Sequence, residues 1–384
     1  MKKTRLGIVL ILIFAFVLTA CSPKATTQST ESKSPETTET IQESKEASKD
    51  TEAKGKETKT IVNLDGTELT VPTKVERIGA IFGPSYEKVV MLGAEDKIVF
   101  DGDFHINSWP WSNVVYKHVN DVPGIPNAHS ELNIEDLIQY NADVVFNFPN
   151  PETTAAMEAA GISVVPMAST GKLSDIKDTV AVYAEAIGGE AIEISNRYGK
   201  YFDDIVNRVS AVTSEIAEED KPKVYFANQE ILWTAGKQSD INEIIELAGG
   251  IPVAKDVEGG SKTEITKEQF IEWNPDFIFV DHAGSSGNAT AEEVINEMLS
   301  DTDYTNVSAV SSDHVVIVPT GVFFWDSGVQ KPLMILLMAK TMYPDKFTDV
   351  DMKAELISFY SEFFHYDLTD DEANRILAHL DPAE

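Results

Sequence analysis

Residues 190–217 restrict the possible folds more than any other stretch. Apolar side chains fall at 191, 194, 198, 201, 205, 209, 212 and 216, with no proline and with Gly199 the one glycine. That steady three-and-four spacing predicts a single amphipathic helix of seven to eight turns, ~40 Å long. Such a helix either belongs to a bundle or joins two bodies as a rigid strut, and its flanks decide between the two.

On both sides the pattern is strand and helix in alternation. Residues 60–72 (TIVNLDGTELTVP) alternate apolar and polar positions around Asp65-Gly66 and predict a β-hairpin. Apolar runs at 77–82, 97–100, 143–148 and 163–166 read as strands, with helical patterns at 86–92, 134–140 and 151–160 between them. After the long helix, strands are expected at 223–227, 276–281 and 314–319, and helices near 240–248, 267–273, 291–299 and 330–342. Polar-faced helices close the chain over 352–380. Alternation of this kind builds mostly parallel sheets. The expected class is therefore α/β: a first lobe over 61–189, a connecting helix over 190–217, and a second lobe with terminal helices over 218–384.

An internal repeat relates the two lobes. LNIEDLIQYNADVVF (132–146) and ITKEQFIEWNPDFIF (265–279) agree at Glu135/Glu268, Ile138/Ile271, Asn141/Asn274, Asp143/Asp276 and Phe146/Phe279. Shared punctuation of a helix–turn–strand unit accounts for part of this, and duplication for the coincident Glu, Asn and Asp. Asn133 and Thr266 are expected N-caps, Thr266-x-x-Gln269 being a capping box. Glu135 and Glu268 fall in the first helical turn, where the helix dipole favours an acid. Trp273, opposite Tyr140, is expected in the core.

The N-terminus has a different character. Lys2, Lys3 and Arg5 precede an apolar run over 6–18, too short to span a bilayer, as in a signal peptide (1–20). The run ends in Leu18-Thr19-Ala20-Cys21, which resembles the lipobox of bacterial lipoproteins. That resemblance implies cleavage before Cys21, lipidation of its thiol and membrane anchoring of the mature chain. Cys21 is the sole cysteine, which excludes an intrachain disulfide framework and multi-cysteine metal sites. Residues 22–60 contain one Ile and no aromatic residue, too little apolar surface to offset ordering entropy. With Cys21 they form a disordered tether (21–60).

Charge and motifs exclude several functions. The 384 residues carry a net charge of −32, and 61–384 alone carry 55 acidic against 21 basic residues. A phosphate-backbone binder needs the reverse, so no nucleic-acid partner is expected. No dinucleotide fingerprint, P-loop, HExxH or EF-hand sequence occurs. The seven histidines are dispersed with no i, i+4 pair, so no resident metal or cofactor is expected. AGSSG (283–287) approximates a nucleophile elbow, but the helical pattern begins only after Asn288, so a flexible loop is the better reading. A surface-anchored hydrolase using Ser285 is the competing class.

In open α/β sheets ligands sit beyond the carboxyl ends of the strands. Segments 83–86, 101–111, 147–150, 228–233, 282–286 and 320–328 fall there. They hold four of the five tryptophans, Trp109, Trp111, Trp233 and Trp325. Tyr86, His105, His282 and Phe324 lie in the same segments. Flat apolar faces in loops point to a ligand cleft, against the alternative that they pack beneath the loops.

VPTKVERIGAIFGPSYEKVVMLGA (71–94), VPGIP (122–126) with 132–146, ITKEQFIEWNPDFIFVDH (265–282) and WDSGVQKPLMILLMAKTMYPDKF (325–347) occur in one order with the lipobox and the long helix. From about 61 to 347 the chain resembles the substrate-binding lipoproteins of ABC importers for ferric siderophores, haem and cobalamin. The resemblance implies two α/β lobes joined by one long helix, a ligand held between them, and no catalysis. It implies that Glu135 and Glu268 match the family's paired docking glutamates, facing arginines of an ABC permease dimer with its ATPase. The expected protein is a monomeric receptor, lipid-anchored on the extracytoplasmic membrane face, for a small-molecule metal complex, a ferric chelate first, with haem, a corrinoid or an oxyanion as alternatives. One departure stands out. Arg77, Arg197, Arg208 and Arg375 are the only arginines beyond residue 60, and none lies in the cleft segments. Lys237, Lys262 or Lys331 substitutes, or the ligand is near neutral or cationic and gripped by aromatic faces.

Overall fold

The computed structural model describes residues 57–102, 109, 111–126, 128, 132–281 and 291–383. Cys21, the leader, nearly all of the tether, His105, His282 and Ser285 lie outside the described residues.

The hairpin forms as expected from β1 (Thr58–Val62) and β2 (Glu68–Pro72), paired antiparallel. Gly66 takes φ +84 at its turn, and Asp65 Oδ1 accepts the Thr67 amide at 2.9 Å. The first lobe then alternates β3 (Ile78–Ala80), α1 (Gly83–Met91), β4 (Ile98–Asp101), α2 (Ser112–Val115), α3 (Ile134–Ile138), β5 (Val144–Asn147), α4 (Pro151–Ala159) and β6 (Val164–Pro166). Its four strands are all parallel in the order β4-β3-β5-β6.

The helix α5 (Asp175–Ile187) follows, and Gly188 and Gly189, at φ +76 and +64, turn the chain into the long helix α6 (Glu190–Thr213). At 24 residues α6 is about 36 Å long. It stops four residues short of the expected end, where the Thr213 hydroxyl bonds the Val209 and Leu247 carbonyls and Ala217 turns extended. The last apolar position of the pattern, Ile216, belongs to the turn.

The second lobe comprises β7 (Lys223–Asn228), β8 (Trp233–Thr234), α7 (Ile241–Leu247), β9 (Ile251–Pro252), β10 (Thr263–Glu264), α8 (Lys267–Trp273), β11 (Phe277–Asp281), α9 (Ala291–Ser300), α10 (Ser308–Ser311) and β12 (Val315–Ile317). Its sheet runs β10-β8-β7-β11-β12, with β9 on β7. β7, β9, β11 and β12 are parallel, while β8 and β10 form an antiparallel edge that apolar runs did not signal. Helices α11 (Lys331–Met342), α12 (Met352–Phe363) and α13 (Asp370–Leu377) complete the chain.

Strand alternation divides the core. Val144, Phe146, Val224, Phe226 and Phe279 face one continuous cluster with α1, α5, α6, α11 and α12. Val145 points to a cluster on the opposite face of the first sheet, and Tyr225, Ala227, Ile278 and Val280 to one on the opposite face of the second. Both sheets thus present one face to the same central helices.

Candidate functional site

The carboxyl ends of the parallel strands carry enclosed polar side chains. β4 ends on Asp101, β5 on Asn147, β7 on Asn228 and β11 on Asp281, all buried. Among the described residues neither polar atom of the Asn147 side chain has a partner. Asn228 Nδ2 donates to the Ser261 carbonyl at 2.7 Å, while its Oδ1 has none among them. An enclosed amide without a partner costs about 1–3 kcal/mol, so a polar group, from water, a loop or a ligand, suits this edge. The sequence signal was an asparagine closing each apolar run, VVFN and KVYFAN, overlooked because asparagine so often punctuates a turn.

Three predicted site residues, Tyr86, Trp109 and Phe324, come together with Phe323. Trp109, after β4, meets Phe323 and Phe324, after β12, with ring centroids 4.9 and 5.4 Å apart, so this cluster crosses from one lobe to the other. Beneath it a void of about 10 Å³ is lined by Gly83, Tyr86, Trp109, Tyr116 and Phe323 among others. The Tyr86 and Tyr116 rings lie 5.5 Å apart, and neither hydroxyl has a partner among the described residues. Burial, and then the charges of Glu95 and Asp101 for Tyr86 and of Glu87 foremost for Tyr116, push both phenols far above their ordinary range. Both therefore keep their protons and can donate hydrogen bonds.

The expectation of open faces for Tyr86, Trp111 and Trp325 is corrected, Tyr86 being fully enclosed in the central cluster beneath the seat. Trp111 is packed in the core, its Nε1 donating to the Leu380 carbonyl at 2.9 Å. Trp325 is completely enclosed in the central cluster. Both rings follow strand ends, as a cleft residue should, but apolar neighbours from α1, α11 and the C-terminal segment close over them. Trp273 is half-buried against the second-lobe cluster. Trp233 lies apart from the aromatic seat, at the β8 edge of the second sheet.

The three lysines differ in their partners. Lys237 pairs with Glu258 at 2.7 Å, and Lys331, nearly buried, pairs with Asp240. Lys262 Nζ lies 3.5 Å from the centroid of the Trp233 ring and donates to Gln229 Oε1. Arg77 caps the Tyr140 and Asn141 carbonyls, Arg208 is held by Asp349 and Glu355, Arg197 lies 3.8 Å from Glu362, and Arg375 donates to the Asp381 carbonyl.

A buried joint underlies the seat. Glu87 on α1 accepts the Val329 amide of the second lobe at 2.9 Å, and Tyr198 of α6 donates to the Val329 carbonyl at 2.8 Å. Lys88, also buried, donates to the Pro84 carbonyl at 3.1 Å. Burial raises the Glu87 carboxyl and lowers the Lys88 ammonium, each partly offset by the other's charge. A Cβ on Gly328 would come within 2.9 Å of both Glu87 oxygens, so only glycine leaves them this close to the 328–330 turn.

Glu135 and Glu268 are exposed at the starts of α3 and α8, behind the N-caps Asn133 and Thr266. One turn on, the matched Ile138 and Ile271 are 48 and 37 % exposed. Among the described residues neither glutamate has an ion-pair partner, and no group of three His, Cys, Asp or Glu is placed to hold a metal ion.

Comparison with known proteins agrees with this architecture. A curated relative, the molybdate-binding protein MolA of Haemophilus influenzae, is 25 % identical over 341 residues, covering 80 % of this chain and 91 % of its own. The cobalamin-binding protein of Halobacterium salinarum is 24 % identical over 265 residues, covering 66 % of this chain and 68 % of its own. The crystal structure of a periplasmic solute binding protein from Veillonella parvula superposes with a TM-score of 0.69 at 26 % identity, covering 84 % of this chain and 97 % of that one. The family profile described as "Periplasmic binding protein" matches residues 78–320, from β3 of the first sheet to just beyond β12 of the second. With both sheets and the joining helix inside that match, the chain belongs to the periplasmic binding protein family, the extracytoplasmic solute receptors of ABC importers.

Proposed function

We propose that this protein is a lipid-anchored receptor, held through Cys21 on the extracytoplasmic face, that binds a siderophore-type iron chelate between its lobes and delivers it to an ABC permease. The observation that carries the reading is the inter-lobe seat: Trp109, Phe323 and Phe324 packed across the lobes over two phenol donors without partners among the described residues. Aromatic faces grip the organic body of a chelate, and hydroxyl and amide donors meet its oxygens. The dispersed histidines, with no i, i+4 pair, suit a metal that arrives already chelated. The molybdate-binding and cobalamin-binding relatives support the second reading, an oxyanion or corrinoid ligand in the same cleft.

Titration of the mature protein, followed by tryptophan fluorescence, against ferric hydroxamate, catecholate and citrate complexes, haem, cobalamin and molybdate tests the reading. A ferric chelate should bind and shift the emission, and Trp109→Ala should weaken it about tenfold or more. Binding of molybdate or cobalamin alone would move the assignment to the second reading.

Glu135 and Glu268 are proposed as the docking contacts, with Ile138 and Ile271 as apolar contacts beside them. A repeated acid-plus-apolar patch on two lobes suits the two subunits of a permease dimer, with opposite charge fixing orientation and on-rate. The double variant Glu135→Ala/Glu268→Ala should leave ligand affinity unchanged and abolish most uptake in cells. Normal uptake would overturn the docking assignment.

A further inference from the structure

The receptor reading leaves the charge of the ligand open, and the β7–β8 edge of the second lobe bears on it. Gln229 follows β7 with φ +71, a left-handed conformation rare for a residue with a side chain. It is held there by its amide, which donates to the Asp281 carbonyl at 2.9 Å. Its side-chain oxygen meets Lys262 Nζ, and that ammonium also covers the face of Trp233. Ser261, beside Lys262, is tied to the end of β7 by the Asn228 amide.

This lysine is not needed to hold its own loop. Thr263 and Glu264 pair with Thr234 and Trp233 in β10 and β8, and the Ile265 amide reaches the Leu232 carbonyl at 2.9 Å. The preceding loop is pinned from Gly236, Lys237 and Gln238 by three backbone bonds of 2.8–2.9 Å. An ammonium has three N–H donors, and among the described residues Lys262 gives one, to a neutral amide, with no carboxylate within ion-pair distance. What sets it apart is its place, at the carboxyl end of β7 against the face of Trp233. Lys237 and Lys331, its two possible equivalents, are both neutralised.

We propose that Lys262 is the anion contact of the binding cleft, giving its remaining donors to a carboxylate or oxyanion oxygen of the ligand while Trp233 and Gln229 hold the ammonium in place. The sheet order sets the geometry. β7, whose end carries Gln229, lies two strand spacings from β12, the strand that leads to Phe323 and Phe324, so the anion contact and the aromatic seat stand at separate places on the second sheet. A single cation suits an anion of low charge.

This inference rests on the receptor reading, and its test separates the two. Wild type, Lys262→Met and Lys262→Arg are titrated with molybdate, ferric citrate, a neutral ferric trihydroxamate and cyanocobalamin at two salt concentrations. Wild type should bind molybdate or ferric citrate, more weakly at higher salt. Lys262→Met should lose tenfold or more of that affinity and Lys262→Arg should keep most of it, with melting temperatures unchanged. Which of the two anions binds tells a free oxyanion from a carboxylate chelate. Anion binding that survives Lys262→Met, or binding of neutral probes only, overturns the role of Lys262 and leaves the receptor standing. Failure of all four probes, and of the ferric catecholate and haem as well, to bind wild type overturns both.

Discussion

The two copies of the internal repeat, 132–146 and 265–279, agree at five positions for two kinds of reason. Three are internal. Asn141 and Asn274 close their helices at φ +48 and +46. Asp143 accepts the Glu76 and Arg77 amides at 2.8 and 2.9 Å, and Asp276 accepts the Lys223 amide at 2.9 Å, so each aspartate fixes the start of the neighbouring central strand. Phe146 and Phe279 are fully buried in the central cluster. Even the partners correspond, since Arg77 caps the Tyr140 carbonyl at 2.6 Å and Lys223 the Trp273 carbonyl at 3.3 Å. The other two positions, Glu135/Glu268 and Ile138/Ile271, face solvent and do no such work inside the fold. Matched internal residues maintain a folding unit; the matched external ones are the positions proposed above for docking.

The sharpest break of the comparison is at the aspartates. Asp143→Ala removes a charged acceptor from two backbone amides, and Asp276→Ala removes one from the Lys223 amide and from the Ser308 hydroxyl at 3.0 Å. Each should cost about 2–3 kcal/mol in urea unfolding. Unequal costs would show that the two units do not support their sheets alike.

Glu87 has no matched partner in the repeat, and it marks where the lobes stop being equivalent. It is faced by Lys88 on its own helix, Tyr116 after α2, Tyr198 of α6, Tyr360 of α12 and the Val329 amide, with Lys331 beyond Lys88. Burial pushes its carboxyl from the ordinary 4.5 up to about 7. Between those values the folded protein holds a proton that the unfolded chain has released, so stability falls as pH rises through the window. Thermal unfolding at pH 5 and 7.5 should show wild type losing about 1–2 kcal/mol more than Glu87→Gln over that interval. Parallel pH profiles would place Glu87 in a wetter, less consequential joint.

The α/β alternation, the long helix and the repeat were legible because each is a periodic signal over many residues. The short edge strands β8–β10 were not, since two-residue strands carry no period. Helix α5 was passed over: its apolar positions, Ile176, Val180, Tyr183 and Ile187, follow helical spacing but sit directly against the stronger pattern of α6. At the site, the rule of rings beyond strand ends selected Trp109 and Phe324, which meet in one cluster, and equally Tyr86, Trp111 and Trp325, which the core encloses. Strand-end position says where a ring starts; only tertiary packing says what closes over it.

The smallest effect gives the finest comparison. Asn141 and Asn274 share a left-handed backbone that glycine adopts without strain. Asn141 uses its side chain only locally, Nδ2 donating to the Gln139 carbonyl at 3.2 Å, whereas Asn274 Oδ1 accepts the Ser308 amide at 2.8 Å and ties α8 to α10. Asn141→Gly should therefore be neutral to within about 0.5 kcal/mol, relief of backbone strain offsetting the greater freedom of the unfolded chain. Asn274→Gly should cost about 1 kcal/mol through the lost bond. Equal effects in chemical denaturation would mean that the α8–α10 tie contributes nothing, and that the second copy of the repeat is held as simply as the first.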